Sequence, residues 1–351
     1  MSATFERSRA EITRGIERGW HNGAQVFAAV GGDVVGDFAM GESRPGVPMT
    51  TTSIVEWASA TKAVTCGAAA LLWQQGRFDL DDPVCRHIPE FGATGKERVT
   101  IRHLLTHAGG LTDPTRDLMP FDEAVAAVCS APLQDGWIPG ARCAYNSVGM
   151  WVVAELVRRL SGEPFAAFVR KHIFEPLDLL DSWIGIPAER FRPYGERIAV
   201  IEGVKGSGTE EWVTWGRPTG GGFGPIRDLG RYYAALMQHR ILSAPVVDAM
   251  TTRQLCGVYD ERLESTVDRG LGFMLGSSYR GHGFGPHASK RAFGHGGRQW
   301  CVAFGDPEHD LAVAVYWNGK PDVDAHADRL HSLLGALYSD LGLVARGAAG
   351  A

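Results

Sequence analysis

Apolar residues recur along this chain in alternating helical and strand-like patterns. Between residues 3 and 20, Phe5, Ile12, Ile16 and Trp20 fall on an approximately helical period, which predicts an opening amphipathic helix. AQVFAAV (24–30) and VVGDFAMG (34–41) flank Gly31-Gly32-Asp33 and predict a β-hairpin. GESRPGVPM (41–49) reads as a loop, after which the apolar run AVTCGAAALLWQQG (63–76) predicts a helix that stops near Gly76. Residues 77–91 carry two prolines and read as irregular. VTIRHLLTHAGGL (99–111) predicts a short helix with Thr100 as N-cap and Gly109-Gly110 as its stop. Residues 121–130, 148–160 and 165–174 read as three further helices.

Residues 200–224 break the pattern. They are rich in glycine, contain Trp212 and Trp215, and read as a long surface loop, a candidate lid. A helix over 228–238 follows. The last third then returns to strands: RGLGFMLG (269–276), RAFGHGG (291–297), WCVAFGD (300–306) and LAVAVYW (311–317). Leu330, Leu333, Leu334, Leu337 and Leu341 predict a closing amphipathic helix. Strands at both ends with helices between them predict an α/β (α+β) fold. In it, one antiparallel sheet is assembled from both termini, covered by the terminal helices, with a mainly helical lobe inserted. The whole chain is expected to be a single domain, with residues 1–58 and 262–351 forming the sheet lobe and 59–261 the helical lobe. An active site would lie where the lobes meet.

Composition narrows the function. The 351 residues are 44% hydrophobic and 21% charged, with a formal net charge of −5, ordinary for a soluble globular protein and no attraction for nucleic acid or an anionic membrane. No stretch approaches the roughly 18 apolar residues that span a bilayer. The first twenty or so residues (~20) lack the continuous apolar core of a secretory signal, so a cytoplasmic location is expected. Six cysteines are scattered singly, which argues against a zinc site or a disulfide framework. Neither His-Glu-x-x-His nor a P-loop or dinucleotide fingerprint occurs, so no metal or organic cofactor is expected.

Three short stretches carry chemistry. Ser59 and Lys62 stand three apart at a helix start flanked by Val55, Trp57, Ala63 and Val64, so the lysine can lie against the serine hydroxyl. A serine hydroxyl needs an adjacent base to act as a nucleophile, and a lysine serves where burial and nearby positive charge favour its neutral form. A Ser-x-x-Lys match alone is common and is most often a solvated surface pair. Tyr145-Asn146-Ser147 follows Pro139-Gly140 and precedes the 148–160 helix; its phenol is either packing or a proton shuttle. Gly294-His295-Gly296-Gly297-Arg298 lies in a strand where glycines would permit close backbone approach.

Ser59-x-x-Lys62, Tyr145-x-Ser147 and His295-x-Gly297, in that order, resemble the motif set of the serine β-lactamase and penicillin-binding-protein superfamily. The closer likeness is to its class C β-lactamase-like branch of esterases, D-amino-acid peptidases and transacylases. GRFDLDDPVCRHIPEF (76–91), VTIRHLLTHAGGL (99–111), IFEPLDLLDSWIG (173–185), GGGFGPIRDLGRY (220–232) and the segment 293–318 extend the resemblance over nearly the whole chain. It implies a β-lactamase/transpeptidase-like fold, Ser59 as the acylated nucleophile, Lys62 as its base partner and Tyr145 as proton shuttle. The backbone N–H groups of Ser59 and Arg298 would form the oxyanion hole, worth about 3–4 kcal/mol each in such chemistry. Ser147, His295, Gly296, Gly297 and Trp300 would contact substrate. Ser147 stands where the family commonly has Asn, and His295 stands where true β-lactamases have Lys, which favours an ester or thioester donor over a β-lactam. The expected activity is hydrolysis of a small ester or amide. The alternatives are transfer of the acyl group to an amine or alcohol acceptor, and a non-catalytic binding module on the same fold.

Overall fold

The computed structural model describes residues 4–276 and 283–344. Its strands are β1 Gly23–Val30, β2 Asp33–Arg44, β3 Val47–Pro48, β4 Val55–Glu56, β5 Trp183–Ile184 and β6 Gly222–Gly224, then β7 Leu255–Asp260, β8 Ser265–Arg269, β9 Met274–Leu275, β10 Phe293–Gly297, β11 Cys301–Asp306 and β12 Leu311–Trp317. Nine of them form an antiparallel sheet in the order β3-β2-β1-β12-β11-β10-β9-β8-β7, and β4-β6-β5 form a small second sheet. The expected union of the chain ends is present: β1 pairs with β12 from Ala24↔Trp317 to Val30↔Leu311.

The strand period explains how helices cover both faces. Along β12, Leu311, Val313, Val315 and Trp317 join Leu330, Leu333, Leu334 and Leu337 of the closing helix Val323–Asp340 in one core. The alternate residues Ala312, Ala314 and Tyr316 face the other way, into the core shared with Leu229 and Tyr233 of the helix Ile226–Met237. Burying each such large apolar side chain contributes about 1.5–3 kcal/mol. The helical lobe contains Thr61–Gln74, Ile101–Leu105, Phe121–Ser130 and Gly149–Ser161. Thr100 caps its helix as expected, its side chain accepting the His103 N–H. Among the described residues no helix is long and apolar enough to cross a membrane.

Four local expectations change, the first being 41–49, expected as a loop, where the end of β2 pairs with β3 through Glu42↔Pro48 and Arg44↔Val47. The 269–276 segment is not one strand: Arg269 ends β8, the Gly270 N–H donates to Phe273 O at 3.0 Å, and Gly272 takes a φ of +82° before β9 begins. The hairpin β7–β8 was not anticipated, and β7 begins at Leu255, inside the stretch assigned to the helical lobe. Its mostly exposed, weakly alternating edge sequence carries little pattern. The 200–224 segment holds a helix, Glu210–Thr214, capped by the Thr209 side chain, and β6.

His21 illustrates how burial here fixes charge. Its ring packs so closely on Gly15 that a Cβ there would lie 2.1 Å from it. Burial and the Arg329 guanidinium push its pKa down to about 3, and burial pushes His107 well below the usual range. An imidazole whose folded pKa lies below its unfolded value of about 6.5 takes up its proton on unfolding. Its stabilising contribution is therefore complete above that value and declines, by about 1.4 kcal/mol per pH unit, as pH falls. Burial raises Asp228 to about 6 and offsets part of this, since the folded state then binds the extra proton. Thermal unfolding followed from about pH 7 to about pH 5 should show a falling midpoint, with a shallower fall in His21→Gln. A flat or rising midpoint would contradict it.

Candidate active site

β4 leads into a tight 3-10 turn, Ala58–Ala60, that runs straight into the helix Thr61–Gln74. Ala58 holds a φ of +44°, a left-handed conformation costing about 1–2 kcal/mol for an L-residue. Ser59 at the turn is half-buried. Lys62, one helical turn on, is 1% exposed. Its Nζ lies 2.9 Å from Ser59 Oγ and 2.7 Å from the Thr219 carbonyl oxygen. Both partners are neutral. The amine thus bridges the Ser59 hydroxyl and the Thr219 carbonyl.

The Thr219 carbonyl is brought there by glycine. A Cβ on Gly222 would stand 2.6 Å from Thr61 Oγ1 and 2.8 Å from the Trp57 ring, so only glycine lets this backbone lie on the Ser59 turn. The Gly222 N–H donates to Thr61 Oγ1 at 2.9 Å, Thr65 Oγ1 donates to Pro218 O at 2.7 Å, and the Trp57 N–H donates to Gly222 O at 2.8 Å. The inner part of the 200–224 segment is thus bonded to the helix that follows Ser59.

Tyr145 forms the second wall. The Lys62 Nζ is 5.2 Å from its ring centroid, and its ring also meets those of His107 at 4.8 Å and His295 at 5.9 Å. Asp260, at the end of β7, fixes the Tyr145 backbone: the Tyr145 N–H donates to both carboxylate oxygens, at 3.0 and 3.1 Å. Asp260 is also paired at 2.7 Å with the buried Arg269, whose guanidinium lies 5.5 Å from the Tyr145 ring centroid. Burial alone would raise the Asp260 carboxyl, but Arg269 and the backbone N–H donors outweigh it and hold it below the usual carboxylate range. His107 Nδ1 accepts the Asn146 N–H at 3.5 Å.

β10 supplies the third wall. A Cβ on Gly297 would lie 2.1 Å from the Trp57 carbonyl, and the Cys301 thiol donates to that oxygen at 2.9 Å, so strand and Ser59 turn are in contact. Arg298 follows with a φ of +47°. Ser59, Tyr145, Leu263, Met274, His295, Gly296 and Arg298 line a cavity of about 120 Å³. Tyr145 and Ser147 border a larger groove of about 580 Å³ with Thr112, Asp113 and Gln134. Ser147 therefore borders the groove and does not line the cavity beside Ser59. Trp300 departs from the expectation of a substrate contact. It has no exposed surface and belongs to the main core, because it sits just ahead of β11, whose side chains are all buried.

The sequence reading missed Asp260, Arg269, His107, Glu56 and Arg217. Only Asp260 had a local signal: its Oδ1 accepts the N–H groups of Arg262 and Leu263, the habit of an aspartate opening a turn between strands.

A family model described as Beta-lactamase matches residues 9–337. The chain belongs to the beta-lactamase family. Among curated relatives, penicillin-binding protein 4* of Bacillus subtilis is 25% identical over 290 residues, covering 72% of this chain and 59% of that protein. Esterase EstB of Burkholderia gladioli is 33% identical over 198 residues, covering 49% of this chain and 50% of that protein. This chain's matches thus span little more than half the length of these relatives. A solved family VIII carboxylesterase, 24% identical, superposes with a TM-score of 0.83 over 96% of this chain and 97% of its own. That likeness shows the fold, including the antiparallel sheet flanked by helices.

Proposed function

We propose that this member of the beta-lactamase family is a serine-dependent acyl-transfer enzyme that hydrolyses a small ester or amide through an acyl-Ser59 intermediate. The carrying observation is the Lys62 amine held 2.9 Å from Ser59 Oγ inside a walled cavity. Ser59 Oγ attacks the donor's carbonyl carbon while its proton passes to Lys62. The oxygen that becomes negative is met by the backbone N–H groups of Ser59 and Arg298. The carbonyl–leaving-group bond then breaks, and the leaving group takes a proton relayed from Lys62 through Tyr145. Water attacks the acyl ester, releasing the acid and returning the proton to Ser59. The esterase name of one relative and the penicillin-binding name of another support this class of chemistry. The cavity of about 120 Å³ beside Ser59 suits a short acyl group.

Intact-protein mass spectrometry after mixing with p-nitrophenyl butyrate, with and without an amine or alcohol acceptor, tests the proposal. The expected result is one butyryl adduct at Ser59 that clears in water alone. An adduct discharged only by the acceptor would make the protein a transacylase. No adduct with any short ester would overturn the acyl-enzyme reading in favour of a binding module.

A further inference from the structure

We propose that the buried Glu56–Arg217 ion pair is a positioning couple for Lys62, clamping the turn whose tip presents the Thr219 carbonyl to the lysine amine. The inference rests on the acyl-Ser59 reading and assigns two residues to it that touch neither the donor nor the nucleophile.

Glu56 stands in β4, three residues before Ser59, and Arg217 stands two residues before Thr219. Both are almost wholly buried. The Arg217 Nη2 donates to Glu56 Oε1, and the other carboxylate oxygen accepts the Trp212 Nε1–H at 3.0 Å. The guanidinium lies against two edge-to-face indoles, 4.7 Å from the Trp212 ring centroid and 4.4 Å from that of Trp215. Trp215 is tied down in turn, its Nε1–H donating to Met119 O at 3.0 Å. From this clamp the chain turns at once: the Gly221 N–H donates back to Arg217 O at 2.8 Å. The turn aims two successive carbonyls at the helix Thr61–Gln74. Pro218 O receives Thr65 Oγ1–H and Thr219 O receives Lys62 Nζ, both at 2.7 Å.

Solvation makes the pair informative. Taking a carboxylate and a guanidinium out of water is costly, and a well-packed apolar pair in such a place is often as stable or more so. What an apolar pair lacks is orientation. A charge-assisted bond to Glu56 fixes where Arg217 lies, and the short turn passes that position to Thr219. Lys62 then has one N–H held by Thr219, which fixes where its Nζ stands beside the Ser59 hydroxyl. A displacement of about 1 Å in such a contact can lower a rate by about 100-fold.

The test is single-turnover release of p-nitrophenol from p-nitrophenyl butyrate by wild type, Glu56→Gln, Arg217→Lys and the neutral double variant Glu56→Gln/Arg217→Gln, with unfolding followed by circular dichroism. A folded Glu56→Gln is expected to acylate at least ~10-fold more slowly while its half-saturating ester concentration stays within ~2-fold. Arg217→Lys, which keeps the charge, should recover part of the rate. The double variant should be no slower than the worse single change, because both act through one contact. It also decides the matter if Glu56→Gln fails to fold. Folded variants that acylate at the wild-type rate, or that change only the half-saturating concentration, would overturn the inference and leave the acyl-Ser59 reading standing. A wild-type protein that forms no adduct at Ser59 would overturn both.

Discussion

Ser59→Ala is expected to lower ester turnover by roughly 10⁴-fold or more and to remove the acyl adduct, with little change in unfolding. The hydroxyl lines the cavity with Lys62 Nζ 2.9 Å away, which places it to form the covalent bond of the proposed acyl-enzyme. Because Ser59 is half-buried and its loss leaves no large void, stability should shift by no more than about 0.5 kcal/mol. Lys62→Met separates chemistry from folding still more sharply. Methionine keeps the length and apolar stem of a side chain that is 1% exposed, so the core stays filled, at a typical cost under about 1.5 kcal/mol. It also relieves the burial of an amine in a lipophilic surround, an effect of opposite sign. Turnover, by contrast, should fall by about 10²–10⁴, the usual worth of a general base. Kinetics with p-nitrophenyl butyrate and a thermal melt on the same preparations check both halves. A folded Lys62→Met with wild-type turnover would place the base elsewhere, with Tyr145 the first candidate through its ring 5.2 Å from the lysine.

What the sequence revealed follows distance along the chain. Ser59 and Lys62 meet because three residues make nearly one helical turn, so their contact could be expected from spacing alone. LAVAVYW likewise read as a strand from its local pattern, and β12 spans it, buried throughout. Contacts closed by tertiary folding left no such mark. Glu56 and Arg217 are 161 positions apart, and Tyr145 and Asp260 are 115 apart. Glu56, Arg217 or Asp260 alone reads as an ordinary surface charge. The glycines of 220–224 were visible, but their loop-like composition hid their purpose. Gly222 and Gly224 are required because backbone, not side chain, must lie against Trp57. Trp300 was misplaced for a related reason: its neighbours Arg298 and Gln299 retain exposed surface, while its own ring turns into the core.

The Asp260 contacts lead to the second large effect, which is on the fold as well as the site. Asp260→Ala is expected to cost about 3–5 kcal/mol in unfolding free energy, because it strands the buried Arg269 guanidinium without its carboxylate. It also removes the acceptor of the part-buried N–H groups of Tyr145, Arg262 and Leu263, a smaller further penalty. The loop that carries Tyr145 then loses the tie that joins it to β7, so activity should fall along with stability. Urea unfolding of Asp260→Ala against wild type measures the first effect as a lowered midpoint. Asp260→Leu/Arg269→Leu supplies the decisive comparison. With both charges gone no ion is left buried and unpaired, so the double variant should unfold at a higher urea concentration than Asp260→Ala alone. Its ester turnover should nevertheless remain well below wild type, because leucine offers the Tyr145 N–H no acceptor and puts no guanidinium against the ring. A double variant with full turnover would mean that Tyr145 is held by packing against His107 and His295, and that Asp260 serves stability alone.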